Sequence, residues 1–157
     1  MNTDDTLQDL TSRADIIRLV DAFYDRIRRD EKLGPIFNDI AQVNWETHLP
    51  KMYDFWDTVL FGAGTFRGNP LAAHAKLVST ADMSKASFDH WLALFTATVH
   101  DLFHGTNAAV ILRSAEDMAN VIYSKINQVP DPRFDPANLT PEQRERYARY
   151  KQTETPS

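Results

Sequence analysis

The chain has 157 residues, no cysteine, and 22 acidic against 17 basic side chains, a formal charge of −5. That length suits one domain with a real core, and the lack of thiols excludes disulfides, a thiol nucleophile, iron–sulfur clusters, zinc fingers and C-x-x-C-H attachment of a cofactor. The mildly acidic balance argues against nucleic acid or an anionic membrane as partner, no apolar run approaches the roughly 18–20 residues of a membrane span, and MNTDDTLQDL is too acidic for a secretory signal, so a cytoplasmic domain is expected.

Helical spacing runs through most of the chain. In 13–29, Ile16, Val20, Phe23, Tyr24 and Ile27 recur at steps of three and four, with Arg18, Asp21, Asp25, Arg28 and Arg29 opposite. Thr11 or Ser12 is placed to cap this helix. Gly34-Pro35 leaves room only for a short helical turn around Ile36 and Phe37. Asn44 precedes a helix over 45–61 with Trp45, Leu49, Met52, Trp56, Val59 and Leu60 on one stripe, and Pro50 falls in its early turns, where proline is tolerated better than in mid-helix. Gly62, Gly64 and Gly68 mark a connection, and Asn69-Pro70 reads as a cap followed by a first-position proline. Phe88, Trp91, Leu92, Phe95, Val99, Leu102 and Phe103 predict a helix over 88–104. Gly105 and Thr106 separate it from a last helix over 107–127, carrying Ile111, Ala115, Met118, Ile122 and Ile126. No strict alternation competes, so the fold class is all-α. The expected domain is 1–129, with its core at about 13–128. From Pro130 onward the chain reads as a polar tail, 130–157, in which Thr140 could cap a short helix.

The chemistry available to such a chain rests on its histidines. His74 follows Pro70 by one helical turn among Leu71, Ala72, Ala73 and Ala75, small neighbours that let something large and flat approach the ring. His48 opens a second apolar stripe with Met52, Phe55 and Val59, as a gate to a pocket or as a boundary residue. Tyr24 and Trp91 place a phenol and an indole on apolar faces, where packing alone can account for them. His100 and His104 are four apart, but two ligands make no zinc site without a third, so they are expected to be exposed or part-exposed. Phosphate loops, nucleophile elbows, dinucleotide fingerprints and EF-hand loops are missing from the sequence.

Taken in order, FYDRIRRD at 23–30, LGPIF at 33–37, Trp45 with His48, Phe55-Trp56, GNPLAAH ending at His74, and FDHWLALF at 88–95 resemble the group III truncated haemoglobins. The resemblance covers roughly residues 13–128. The absence of any Gly-Gly pair fits that group, whereas the tail and a longer stretch between His74 and Phe88 depart from it. It implies a shortened globin fold, a two-over-two helical sandwich around one noncovalent haem b. Carried over residue by residue, His74 becomes the proximal iron ligand, Tyr24, His48 and Trp91 take the distal side, and Phe23, Phe37, Met52 and Phe55 become apolar haem contacts. Noncovalent haem agrees with the absence of cysteine, and a neutral imidazole is a good axial donor.

Three functions follow as alternatives. The first is reversible binding of dioxygen and related diatomic gases (CO, NO), with Tyr24 and Trp91 donating hydrogen bonds to the ligand. The second is an oxidoreductase on the same scaffold, for peroxide reduction or nitric oxide oxidation, which needs an external reductase because the chain carries no flavin or nicotinamide domain. The third is a haem-free helical interaction module, in which every buried aromatic is packing only.

Overall fold

In the computed structural model, which describes residues 7–40, 43–66, 68–69, 74, 81–134, 141–142 and 145, the first helix, α1 (Arg13–Arg29), buries Ile16, Leu19, Val20, Phe23, Tyr24 and Ile27. Leu19 joins the face expected from the sequence, because residues three and four apart stack along one side of a helix. Ser12 stands at the N-cap in extended conformation, but its side chain makes no capping bond. Asp15 acts instead, accepting from the Thr11 N–H at 2.8 Å and from the Thr11 hydroxyl at 3.2 Å. Its charge also complements the positive end of the helix.

The chain then doubles back tightly. A Cβ on Gly34 would lie 2.8 Å from the Arg28 carbonyl oxygen, so a bare α-carbon is needed to fold over the end of α1. Ile36–Ile40 form a π-helical turn, a rare geometry often found beside functional sites. The next helix, α2 (Trp45–Phe61), starts as expected at Asn44, whose side chain accepts from the Glu46 N–H at 3.1 Å. It ends at Gly62, left-handed at φ 68°. Among its described side chains only Trp56 and Asp57 are fully buried. Val59, expected on the apolar stripe, is 38 % exposed; it lies on the flank of the helix, beyond the line of Leu49, Met52, Trp56 and Leu60 that packs inward. Asp57 tolerates burial because Arg13 Nη1 donates to it at 3.0 Å, while Nη2 of the same guanidinium holds Asp54 at 2.8 Å.

Two further helices complete the core. The expected 88–104 segment is α3 (Lys85–Leu102), which closes at an extended Phe103. The last is α4 (Thr106–Asn127), which buries Ala108, Ile111, Ala115, Ala119 and Ile122 and leaves Met118 and Ile126 half-buried. Small alanines on that face let α3 approach closely. The start of α4 is built from a distant segment. Asp9 accepts from the N–H groups of Asn107 and Ala108, each at 2.9 Å, so its carboxylate caps α4 from the far end of the sequence. Asn107 Nδ2 donates to the Leu10 carbonyl at 2.7 Å, and His104 N–H to that of Gln8 at 3.0 Å. Leu10 is consequently fully buried, which extends the packed core ahead of residue 13.

The helices pair as α1 with α2 and α3 with α4, and the pairs cross through α1 on α3 and α2 on α4, giving the two-over-two sandwich. Phe95 sits at the junction. It stacks on Trp56 (4.9 Å, 25°) and Trp91 (5.5 Å, 7°) and meets Phe23 edge to face (5.1 Å, 82°). Burying each such ring contributes roughly 1.5–3 kcal/mol. Past α4, the segment expected to open the tail is docked: a 3-10 turn at Pro132–Phe134 rests on α4, where Arg133 pairs with Asp117 and, at 2.7 Å, with Asp131. Pro141, Glu142 and Glu145 are helical and exposed, while Thr140, the expected cap, lies outside the described residues.

Candidate functional site

Between the C-terminal half of α1 and the first turns of α2 the aromatic rings form a layer. Tyr24 is 5 % exposed and touches Phe23 (5.0 Å), Phe37 (6.0 Å), Trp45 (5.5 Å) and His48 (5.2 Å) by ring centroids. Phe37 reaches it because the π-helical turn folds back against α1, and His48 because it lies one turn into α2, just after Trp45. Trp91, on α3, closes the far side through Phe23, edge to face at 5.3 Å. Five of the residues singled out in the sequence, Phe23, Tyr24, Phe37, His48 and Trp91, are thus brought into one connected layer. Met52 and Phe55 are half-buried against the same core. Phe55 turns to Trp56 (4.9 Å) and Phe66 (5.1 Å).

Burial pushes the Tyr24 phenol far above its usual range, so its hydroxyl keeps its proton and remains a hydrogen-bond donor. Burial also pulls His48 down to about 4, with smaller contributions from the charges of Lys51 and His74. The imidazole is therefore neutral at physiological pH. Its Nε2 is buried and has no hydrogen-bond partner among the described residues, a costly arrangement in a protein interior unless a further group belongs there. His74 is helical and half-buried. It is close enough for its charge to be felt at His48, so the two imidazoles share one region of the molecule. The rest of the expected Pro70-led helix lies outside the described residues.

This donor set suits a flat apolar macrocycle with a metal at its centre. The walls are aromatic and aliphatic, the available metal donor is nitrogen, and an unpaired buried nitrogen sits on one side. Among the described residues no group of three His, Asp or Glu side chains gathers to hold a bare ion. His100 and His104 are exposed, as expected. His90 joins α3 to the end of α1 through Nε2 and Asp30 Oδ1 at 2.8 Å.

Sequence reading gave no role at the site to three contributors. Trp45, a stripe residue that the resemblance pairs with His48 but gives no role, touches both Tyr24 and His48 with its ring. Arg28 was assigned to a solvated face, yet its guanidinium lies 4.2 Å over the Trp45 ring. Phe66 carried no helical period because it lies in the connection after α2. The spacing of three between Trp45 and His48 was the one available signal.

A family model described as bacterial-like globin matches residues 7–124. The group 3 truncated hemoglobin of Campylobacter jejuni is 32 % identical over 108 residues, spanning 67 % of this chain and 83 % of that relative. A crystal structure of group III truncated hemoglobin from Campylobacter jejuni superposes with a TM-score of 0.67 at 28 % identity, covering 76 % of this chain and 94 % of that one.

Proposed function

The chain belongs to the bacterial-like globins, a family of haem proteins, and from that membership we propose that it binds dioxygen, CO and NO reversibly at a noncovalent haem b held by His74. The observation that carries this reading is the neutral His48 imidazole, its Nε2 buried and without a partner among the described residues, edge-on to a protonated Tyr24 and within electrostatic reach of His74. Haem, when bound, supplies an iron with an open position for a small gas. His74 would hold that iron through an imidazole nitrogen. Phe23, Phe37, Met52 and Phe55 would line the macrocycle and exclude water. Tyr24 O–H and Trp91 N–H would donate hydrogen bonds to a ligand that carries partial negative charge, where a dry surrounding strengthens each bond. Two such donors slow release, which suits sensing or ligand chemistry better than bulk delivery.

No helix among the described residues is long and apolar enough to cross a membrane. The test of the proposal is the absorption spectrum of the purified protein in ferric, ferrous and CO-bound forms. A Soret band that shifts with CO is expected, together with its loss in His74→Ala. A protein that takes up no hemin, or a His74→Ala variant with unchanged axial ligation, overturns the assignment.

A further inference from the structure

Trp45 is the first residue of α2 and is half-buried. On its inner side it meets the His48 ring edge to face, centroids 5.6 Å apart at 83°. His48 therefore packs against two aromatic rings, Tyr24 and Trp45, which also touch each other at 5.5 Å. The Trp45 ring is itself held from three directions. Arg28 lies 4.2 Å over it. Phe37 stacks beside it at 6.1 Å and 21°. Its Nε1–H donates to Asn38 Oδ1 at 3.4 Å, and Asn38 Nδ2 in turn donates to the Arg28 carbonyl at 3.5 Å. One amide side chain thus bridges the indole and the backbone of the residue whose guanidinium covers it. Arg28 is exposed and Asn38 belongs to the π-helical turn, so neither position is explained by core packing.

We propose that Trp45 is a positioning residue for His48, and that Arg28 and Asn38 fix it, so that these three side chains set how often the His48 imidazole leaves its place beside Tyr24. The geometry restrains His48 while Trp45 is in position, because Trp45 and Tyr24 pack against it and against each other, and displacing Trp45 removes one of its two ring contacts. Tyr24 is buried in the core and cannot yield. Trp45 sits at a helix end, and the polar contacts that fix its ring are individually weak: one long hydrogen bond to Asn38 and a cation over its face. Access of a small gas to the pocket is then controlled from outside it, a consequence that rests on the gas-binding reading above, whereas the positioning role does not.

The experiment is modification of the histidines of the full-length protein with diethyl pyrocarbonate, read for each residue by peptide mass spectrometry. His100 and His104 are exposed and serve as internal references. In the unaltered protein His48 is expected to react much more slowly than either. Arg28→Gln is expected to speed His48 labelling about two- to fivefold, the scale of an exposed cation–π contact, and Trp45→Leu to speed it further, with His100 and His104 unchanged. Arg28→Lys, which keeps a cation over the ring, is expected to restore slow labelling. In the haem-loaded protein the bimolecular CO association rate is expected to rise in the same order. Equal His48 labelling in the unaltered protein and both variants overturns the proposal, as does a parallel rise at His100 and His104, which marks general loosening. Labelling that moves as expected in a protein without a CO complex upholds the positioning role and removes the gas-binding reading instead.

Discussion

The imidazole of His48 stands edge-on to the phenol ring of Tyr24, centroids 5.2 Å apart at 84°. The two groups come from different helices, and burial drives each toward its neutral form. Neutral groups in a dry layer keep their hydrogen-bonding capacity for a ligand. Tyr24→Phe removes one donor and leaves the ring contacts in place. Its expected effect is a rise in the dioxygen dissociation rate of about 10- to 100-fold, corresponding to about 1.5–3 kcal/mol for a charge-assisted bond. Trp91→Phe is expected to act in the same direction. Stopped-flow displacement of dioxygen by CO measures both, and unchanged rates in the two variants remove them as donors.

The depressed pKa of His48 has a consequence for acid stability. In the fold the imidazole titrates at about 4, against 6.5 for the ordinary side chain. The unfolded chain therefore binds the proton more readily between those values. Stability is fully present above about 6.5 and falls as the pH drops toward about 4, where the folded form protonates as well. After allowance for solvent screening of a partly exposed ring, the effect is about 1–2 kcal/mol. In the haem-free protein, His48→Leu is expected to lose this part of the slope. Urea midpoints at pH 7.5 and 4.5 should converge in the variant more than in the parent; parallel pH profiles would exclude the assignment.

How much of this was legible in the sequence follows from what each feature depends on. Helix identity and face were readable because the period is local: Ile16, Val20, Phe23 and Ile27 announce their stripe within four turns. Asn44 was readable as a cap because cap and helix adjoin. The aromatic layer was partly readable, since Tyr24 and His48 stand as polar groups on apolar stripes. The contacts that set their geometry were not. Asp9 reaches Asn107 across 98 residues and His90 reaches Asp30 across 60. A charged residue near a helix end looks solvated until the fold brings its partner, and Arg28 over Trp45 is the same case. Val59 failed for a different reason: periodicity fixes a face, but the width of the buried stripe is set by the neighbouring helix.

The Asp9 cap makes a prediction about a residue ahead of the first helix. Two α4 N–H groups depend on its carboxylate, so Asp9→Ala is expected to destabilise the fold by about 1–2 kcal/mol. Hydrogen exchange at Asn107 and Ala108 should accelerate before that of the α4 interior. Gly105→Ala should cost as much or more. The backbone there has φ 144°, and a Cβ would lie 2.5 Å from Asp9 Cγ, so the substitution strains the turn and displaces the cap together. Urea unfolding of the double variant checks the shared cause: a loss smaller than the sum of the two singles is expected.

Asp30 links the end of α1 to α3 beside Trp91 of the aromatic layer. Its Oδ2 accepts from the N–H groups of Lys32 (3.0 Å) and Leu33 (2.9 Å), and its Oδ1 faces His90 Nε2 at 2.8 Å. Burial by itself raises its pKa, but the Leu33 N–H, the His90 ring and the Lys32 N–H together hold it below the ordinary 3.8. A carboxyl whose folded pKa is depressed stabilises the fold above its unfolded pKa, and that stability is lost as the pH falls through the folded value. Asp30→Asn is therefore expected to lower the urea midpoint at pH 7, by an amount near 1 kcal/mol for such turn bonds. The difference from the parent should shrink once the pH is below about 3.8. Because His90 precedes Trp91 and Asp30 opens the turn that leads to Phe37, the same change should reach the pocket. Asp30→Asn and His90→Gln are both expected to broaden the CO-bound Soret band, through looser placement of Trp91 and Phe37. A stability loss at pH 7 that persists undiminished in acid would show that the charge of Asp30 contributes nothing and that its backbone bonds alone hold the turn.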